Sequence, residues 1–206
     1  MKFSANLGFL WTDRPLPDAI RAAKAAGFDA VECHWPYDTP VDAVNAALEE
    51  TGLSMLGLNT VRGDLSAKEN GLSALPGREA DARAAIDQAI TYASAIRCAK
   101  VHVMAGFAQG TDAEETFVAN LRYACEQAAP HGITILIEPL NHYDAPDYFL
   151  QTTDQAVDLI DRVGADNLKL MFDCYHVQLM QGDISHRLPA LQPHIGHIQF
   201  ASVPDR

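Results

Sequence analysis

Ile135-Leu136-Ile137-Glu138-Pro139 is the stretch from which the rest of the chain can be read. Three apolar residues in a row suit a strand buried on both faces, as in a parallel sheet covered by helices. Glu138 then sets a carboxylate where the strand emerges. Pro139 disfavours helical geometry at the residue before it, which holds Glu138 extended. The pattern returns downstream in Leu170-Met171-Phe172-Asp173.

Outward from these two segments one rhythm repeats: a short β-prone run, a loop, then an Ala-rich amphipathic stretch. Strands are predicted at Lys2–Asn6, Ala30–His34, Ser54–Asn59, Lys100–Met104, Thr134–Glu138, Leu168–Asp173 and Ile195–Ala201. Helices are predicted at Pro15–Ala26, Val41–Glu50, Glu79–Ile96, Ala113–Ala129 and Asp154–Val163. Gly27 and Gly52 stand where helices end. Tyr175–Leu191 is a less regular helical region. Alternation at this period argues for parallel pairing through helical crossovers.

Two α/β architectures fit, a (β/α)8 TIM barrel and an open doubly wound sheet. No G-x-G-x-x-G follows the first strand, which removes the usual dinucleotide form of the open sheet. The loops after strands three and four are long, as where a barrel builds its site. A complete barrel takes ~250 residues. The 206 residues therefore predict an incomplete barrel of about seven strands, one domain over 1–206, ending before strand eight.

The chain is 48% hydrophobic and 20% charged, with a formal net charge of −12. That field repels a phosphate backbone and favours cations, so no nucleic-acid partner is expected. No apolar run approaches the ~20 residues that cross a bilayer, so no membrane partner is expected. The first residues do not form a secretory signal. A cytoplasmic location is the expectation. Cys33, Cys98, Cys125 and Cys174 lie far apart and read as reduced, mostly core cysteines.

In His194-Ile195-Gly196-His197-Ile198-Gln199-Phe200, Ile198 and Phe200 share one face, and His197 and Gln199 the other. The apolar face is expected against helices, which turns His197 and Gln199 into the barrel. Glu138, Asp173 and Gln199 then offer three oxygen donors from adjacent strands. Such a set suits a hard ion, Mg²⁺ or Mn²⁺. Each alone is more readily a strand-end polar residue satisfied by backbone or a salt bridge, and three on consecutive strands turn the balance. His102, between Val101 and Val103, points inward by the same parity, either as a satisfied core histidine or as a substrate contact. Glu32 and His34 share that inward parity in supporting roles. Phe9 and Trp11 could wall a small pocket or simply pack in the core, and Arg62, after strand three, is a candidate anion contact.

The series Phe3–Leu7, Gly27–Glu32, Gly71-Leu72-Ser73-Ala74-Leu75-Pro76-Gly77-Arg78-Glu79, Ile137–His142, Phe172-Asp173-Cys174-Tyr175-His176 and Gly196–Ala201 resembles, in order and spacing, the hydroxypyruvate isomerase family. That family lies within the xylose-isomerase-like barrel superfamily. The resemblance runs from the first strand to the last residue. It implies a divalent metal held by Glu138, Asp173 and Gln199, with Glu138 also moving a proton. It implies substrate contacts from His176 and Arg206. The family's fourth ligand and second catalytic glutamate lies on strand eight, and no position here matches it, so little turnover is expected. The implied reaction interconverts hydroxypyruvate and tartronate semialdehyde through an enediolate. The alternatives are a 2-oxo-tetronate isomerase, a ketose epimerase or a non-catalytic metal- or metabolite-binding barrel. An abasic-DNA endonuclease of the superfamily is disfavoured by the charge. The expected partner is a small hydroxy-oxo acid, and a homo-oligomer stays open.

Overall fold

The computed structural model describes residues 1–67 and 69–206. Among them seven strands and seven helices alternate. β1 (Ser4–Asn6), β2 (Ala30–Glu32), β3 (Leu58–Asn59), β4 (Lys100–His102), β5 (Thr134–Ile137), β6 (Leu168–Asp173) and β7 (Ile195–Gln199) pair in parallel. β1 pairs with β2, and β3 through β7 pair in chain order. A parallel bridge from Val31 to Met55 joins the two sets. The helices are α1 (Leu16–Ala25), α2 (Val41–Thr51), α3 (Glu79–Ala95), α4 (Thr111–Ala128), α5 (Thr153–Val163), α6 (Cys174–Met180) and α7 (Ile184–Leu191). This is the TIM-barrel architecture, and the barrel is not closed: β1 and β7 share no ladder among the described residues.

The core follows from residue size. Ala19, Ala23, Ala47, Ala89, Ala93 and Ala124 are buried on the inner faces of the helices, and such small side chains let a helix lie close on the sheet. β5 and β6 bury nearly every side chain, as their unbroken apolar runs require. α5 begins where the Thr152 side chain accepts from the Gln155 N–H at 3.1 Å, a cap that satisfies one of the helix's free donors.

Three departures from the sequence expectations matter to the site. The helical region after β6 divides into α6 and α7, separated by Gly182 and Asp183, both with positive φ. A loop longer than the one after β4 follows β5, from Glu138 to Thr152. The outer face of β7 is not packed on a helix: Ile198 is 47% exposed and Phe200 69%. Phe200 instead meets Phe3 edge to face, with centroids 6.0 Å apart. The apolar alternation was legible, but no described element covers it on that side.

Candidate active site

Glu138 leaves the end of β5 buried, and Asp173 ends β6 beside it, also buried. Asp173 is the N-cap of α6: one carboxylate oxygen, Oδ1, accepts from the Tyr175 N–H at 2.9 Å. Its other oxygen, Oδ2, faces the cavity. His176, three residues on, has its Nε2 3.8 Å from that oxygen and 3.9 Å from Glu138 Oε1. Glu138, Asp173 and His176 thus form a compact buried cluster. Gln199 pairs in register with Asp173 from β7 and lines the same cavity.

The tautomer of His176 decides what it can do. Its Nδ1 accepts from the Asn141 backbone N–H at 3.0 Å and lies 2.7 Å from the Asn141 side-chain nitrogen. A neutral imidazole whose Nδ1 accepts carries its proton on Nε2. The Asn141 donors thus favour a proton on Nε2, the nitrogen facing the carboxylates. Glu138, Asp173 and Gln199 bring oxygen atoms to the same cavity, and His176 Nε2 lies beside the two carboxylates. Burial pulls the His176 pKa down to about 4, against the opposing field of Asp173, so the ring is neutral at physiological pH.

Glu138 is short of donors. No described residue donates a hydrogen bond to its carboxylate. Its Oε2 lies 3.7 Å from His102 Nδ1, beyond hydrogen-bond reach. Burial first, then repulsion from Asp173, pushes its pKa well above the usual carboxylate range. His102 is buried with neither ring nitrogen partnered, and burial lowers its pKa to about 3. A desolvated pair of carboxylates with too few donors, beside an orphaned imidazole, is a place that a cation and a polar ligand would complete. The donor set fits a hard divalent ion.

Arg206 reaches into this cluster. One terminal nitrogen donates to Asp173 Oδ2 at 2.6 Å, and the other lies 2.9 Å from His176 Nε2. With Nε2 protonated, that second pair sets two donors against each other, which a substrate oxygen accepting from both would relieve. The guanidinium is held between the rings of Phe9 (4.5 Å) and Tyr175 (4.9 Å). Phe9 therefore walls the cavity, whereas Trp11 packs on Phe28. The cavity holds about 470 Å³ and is lined by Glu138, His102, His176, Gln199 and Arg206, among others.

Two contributors escaped sequence reasoning. Asn141 is fully buried. It orients His176 and also donates to Asp144, which in turn accepts from the Tyr175 hydroxyl, so the loop after β5 is tied to α6. Its signal was its place two residues after Pro139, within the run Ile137–His142 that carries part of the family resemblance. The second is a bond across the lumen, His197 Nε2 to Glu32 Oε2 at 2.7 Å. Inward parity was visible for both, but their partnership spans 165 positions and left no local trace.

Known proteins share this architecture. A family model described as "Xylose isomerase-like TIM barrel" matches residues 20–206. The "2-oxo-tetronate isomerase" of Cupriavidus necator is 43% identical over 100% of this chain and 80% of its own length. A Danio rerio protein named "Putative hydroxypyruvate isomerase" is 41% identical over 100% of this chain and 78% of its own. Among solved structures, one described as an AP endonuclease, family 2, from Brucella melitensis superposes with a TM-score of 0.95 at 39% identity. It covers 100% of this chain and 81% of that one.

Proposed function

The chain belongs to the xylose isomerase-like TIM barrel family and is an isomerase within it, and on that premise we propose a metal-dependent isomerase of small hydroxy-oxo acids. The proposed reaction interconverts hydroxypyruvate and tartronate semialdehyde, an exchange of a carbonyl and a neighbouring hydroxyl. The observation that carries it is the buried Glu138–Asp173 pair with Nε2 of His176 facing both carboxylates.

Glu138, Asp173 and Gln199 would hold the divalent ion, Mg²⁺ or Mn²⁺. When bound, such an ion supplies Lewis-acid polarisation of a substrate carbonyl. The remaining work falls to side chains. Glu138, with its proton affinity raised by burial and by Asp173, is suited to take a proton from one substrate carbon and return it to the next. The Nε2–H of His176 donates to a substrate oxygen as charge builds there. Arg206, gripped by two aromatic rings, presents its guanidinium to substrate oxygens. His102 offers an unpartnered nitrogen to a further oxygen.

A second reading keeps the chemistry and lengthens the substrate to a four-carbon 2-oxo acid, which the name of the 43%-identical relative favours. A panel of three- and four-carbon acids separates the two. The name given to the Brucella protein raises abasic DNA as a substrate. A net charge of −12 opposes duplex binding, and binding to abasic duplex at low salt would revive it.

The test begins with Mn²⁺ titrated into the metal-stripped chain, a readout that needs no turnover. Glu138→Gln is expected to weaken binding at least roughly tenfold, the scale of losing one charged contact, and to abolish turnover of the acid panel. Undiminished Mn²⁺ affinity in that variant, or turnover that survives chelation, would refute the proposal.

A further inference from the structure

Arg62 lines the same cavity as Glu138 and Asp173 yet takes no part in the arrangement described so far. Its Nε donates to Asn70 Oδ1 at 2.8 Å, and its guanidinium carbon sits 5.2 Å from the centroid of the Trp35 ring. Trp35 is itself fixed by its indole N–H, which donates to the Thr60 carbonyl at 3.0 Å. One edge and one face of the guanidinium are thus held, both by neutral groups. The two acids of that segment are engaged elsewhere: Asp64 accepts from Ser66, and Glu69 pairs with Arg78. Among the described residues no carboxylate pairs with Arg62.

In a chain of net charge −12, the Arg62 guanidinium is oriented by an amide and a ring and left without a counter-ion. Its two terminal nitrogens keep their donors, in the planar fork that matches a carboxylate. Arg206 is different, since Asp173 already occupies it. Both guanidiniums act on His34 in the cavity wall, so charge approaches the cavity from the segment after β3 and from the segment after β7.

The geometry points to Arg62 as the residue that receives the carboxylate of the substrate, and so selects hydroxy-oxo acids over neutral ketoses. This assignment rests on the isomerase reading of the cavity. A carboxylate lying across the free edge of Arg62 would share the cavity that Glu138 and His176 line. Trp35, beneath the guanidinium, excludes water from one side of the pair and strengthens it.

Glycerate tests this without turnover, because it carries a carboxylate and hydroxyls but no carbonyl to isomerise. Calorimetric titration of the metal-free chain at fixed ionic strength is expected to show glycerate binding and no glycerol binding. Arg62→Gln should weaken glycerate by roughly 10- to 100-fold, and Arg62→Lys should recover part of the loss. Trp35 fluorescence should respond to glycerate in the parent and fall silent in Arg62→Gln. Should Arg62→Gln not fold, Asn70→Ala, which frees the Nε edge, is expected to show a smaller loss. Unchanged glycerate affinity in the folded Arg62 or Asn70 variants, or a parent that fails to distinguish glycerate from glycerol, overturns the assignment. The two readings fail separately. If Glu138→Gln keeps the parent's Mn²⁺ affinity while the chain still discriminates glycerate through Arg62, the isomerase proposal falls and the receptor stands. If hydroxypyruvate is turned over with an unchanged KM in Arg62→Gln, the receptor alone falls.

Discussion

At the scale of single residues, His102 shows what burial does to a titratable group. Its pKa is drawn down to about 3, by burial first and then by His34 and His176, from 6.5 in an open chain. Between about pH 6.5 and pH 3 the unfolded chain therefore binds a proton that the folded chain refuses. Stability from this residue is fully present above pH 6.5 and is lost as pH falls toward 3, at up to about 1.4 kcal/mol per pH unit. Urea unfolding of the metal-free chain across that range should show a shallower slope in His102→Phe than in the parent. An identical slope would mean the imidazole is not held neutral. The inward direction of His102 was readable from strand parity, because a strand's period of two is local. Its lack of partners was not, since that depends on where Glu138 and the loop after β5 come to rest. The same divide separates the candidate ligands. Glu138 and Asp173 announced themselves by interrupting apolar runs. The tautomer of His176 depends on Asn141, a neighbour in space only.

Among elements, the loops after β3 and β4 are bound together more tightly than their sequences suggest. Gly71, at φ +114°, bridges antiparallel to Ala105, and a Cβ there would stand 2.6 Å from the Met104 carbonyl oxygen. Gly106, at φ +98°, would in turn press a Cβ on the Gly71 carbonyl. Neither backbone conformation suits an L side chain, and the contacts are with backbone, which yields little. Gly71→Ala is expected to cost about 2–4 kcal/mol, read as a lowered denaturation midpoint. A midpoint within experimental scatter of the parent would show that the loops can part. The consequence reaches the cavity, because Gly71 also donates its N–H to the Arg62 carbonyl at 2.8 Å. The unusual run Gly71–Glu79 was noticed in the sequence as a family mark. Its physical reason, two backbones in contact, needed the fold. Element existence was otherwise legible from alternating apolar periods, and every strand and helix lies near its expected place. Strand ends were less so: β2 and β4 stop two residues before their expected ends, and β3 starts late, at Leu58.

At the scale of the whole barrel, β1 and β7 share no ladder among the described residues. Ile198 and Phe200 on β7 and Phe3 ahead of β1 present apolar surface, and both flanking strands offer unpaired backbone edges. Exposed strand edges with apolar side chains are templates for association. The chain is therefore expected to self-associate with rising concentration, and Phe200→Ser to reduce it, as read by sedimentation. Monodisperse behaviour of the parent at high concentration would contradict this. The net charge of −12 opposes such association at low salt, so screening should promote it.

Asp173 gives each of its oxygens a separate employer: Oδ1 starts a helix and Oδ2 meets Arg206. Reactive geometry and secondary structure thereby share a single anchor. The carboxylate cannot drift away from the cavity without unwinding the first turn of α6, and α6 cannot loosen without taking His176 along. Positional accuracy is thus delivered by ordinary helix chemistry, with no extra scaffold required.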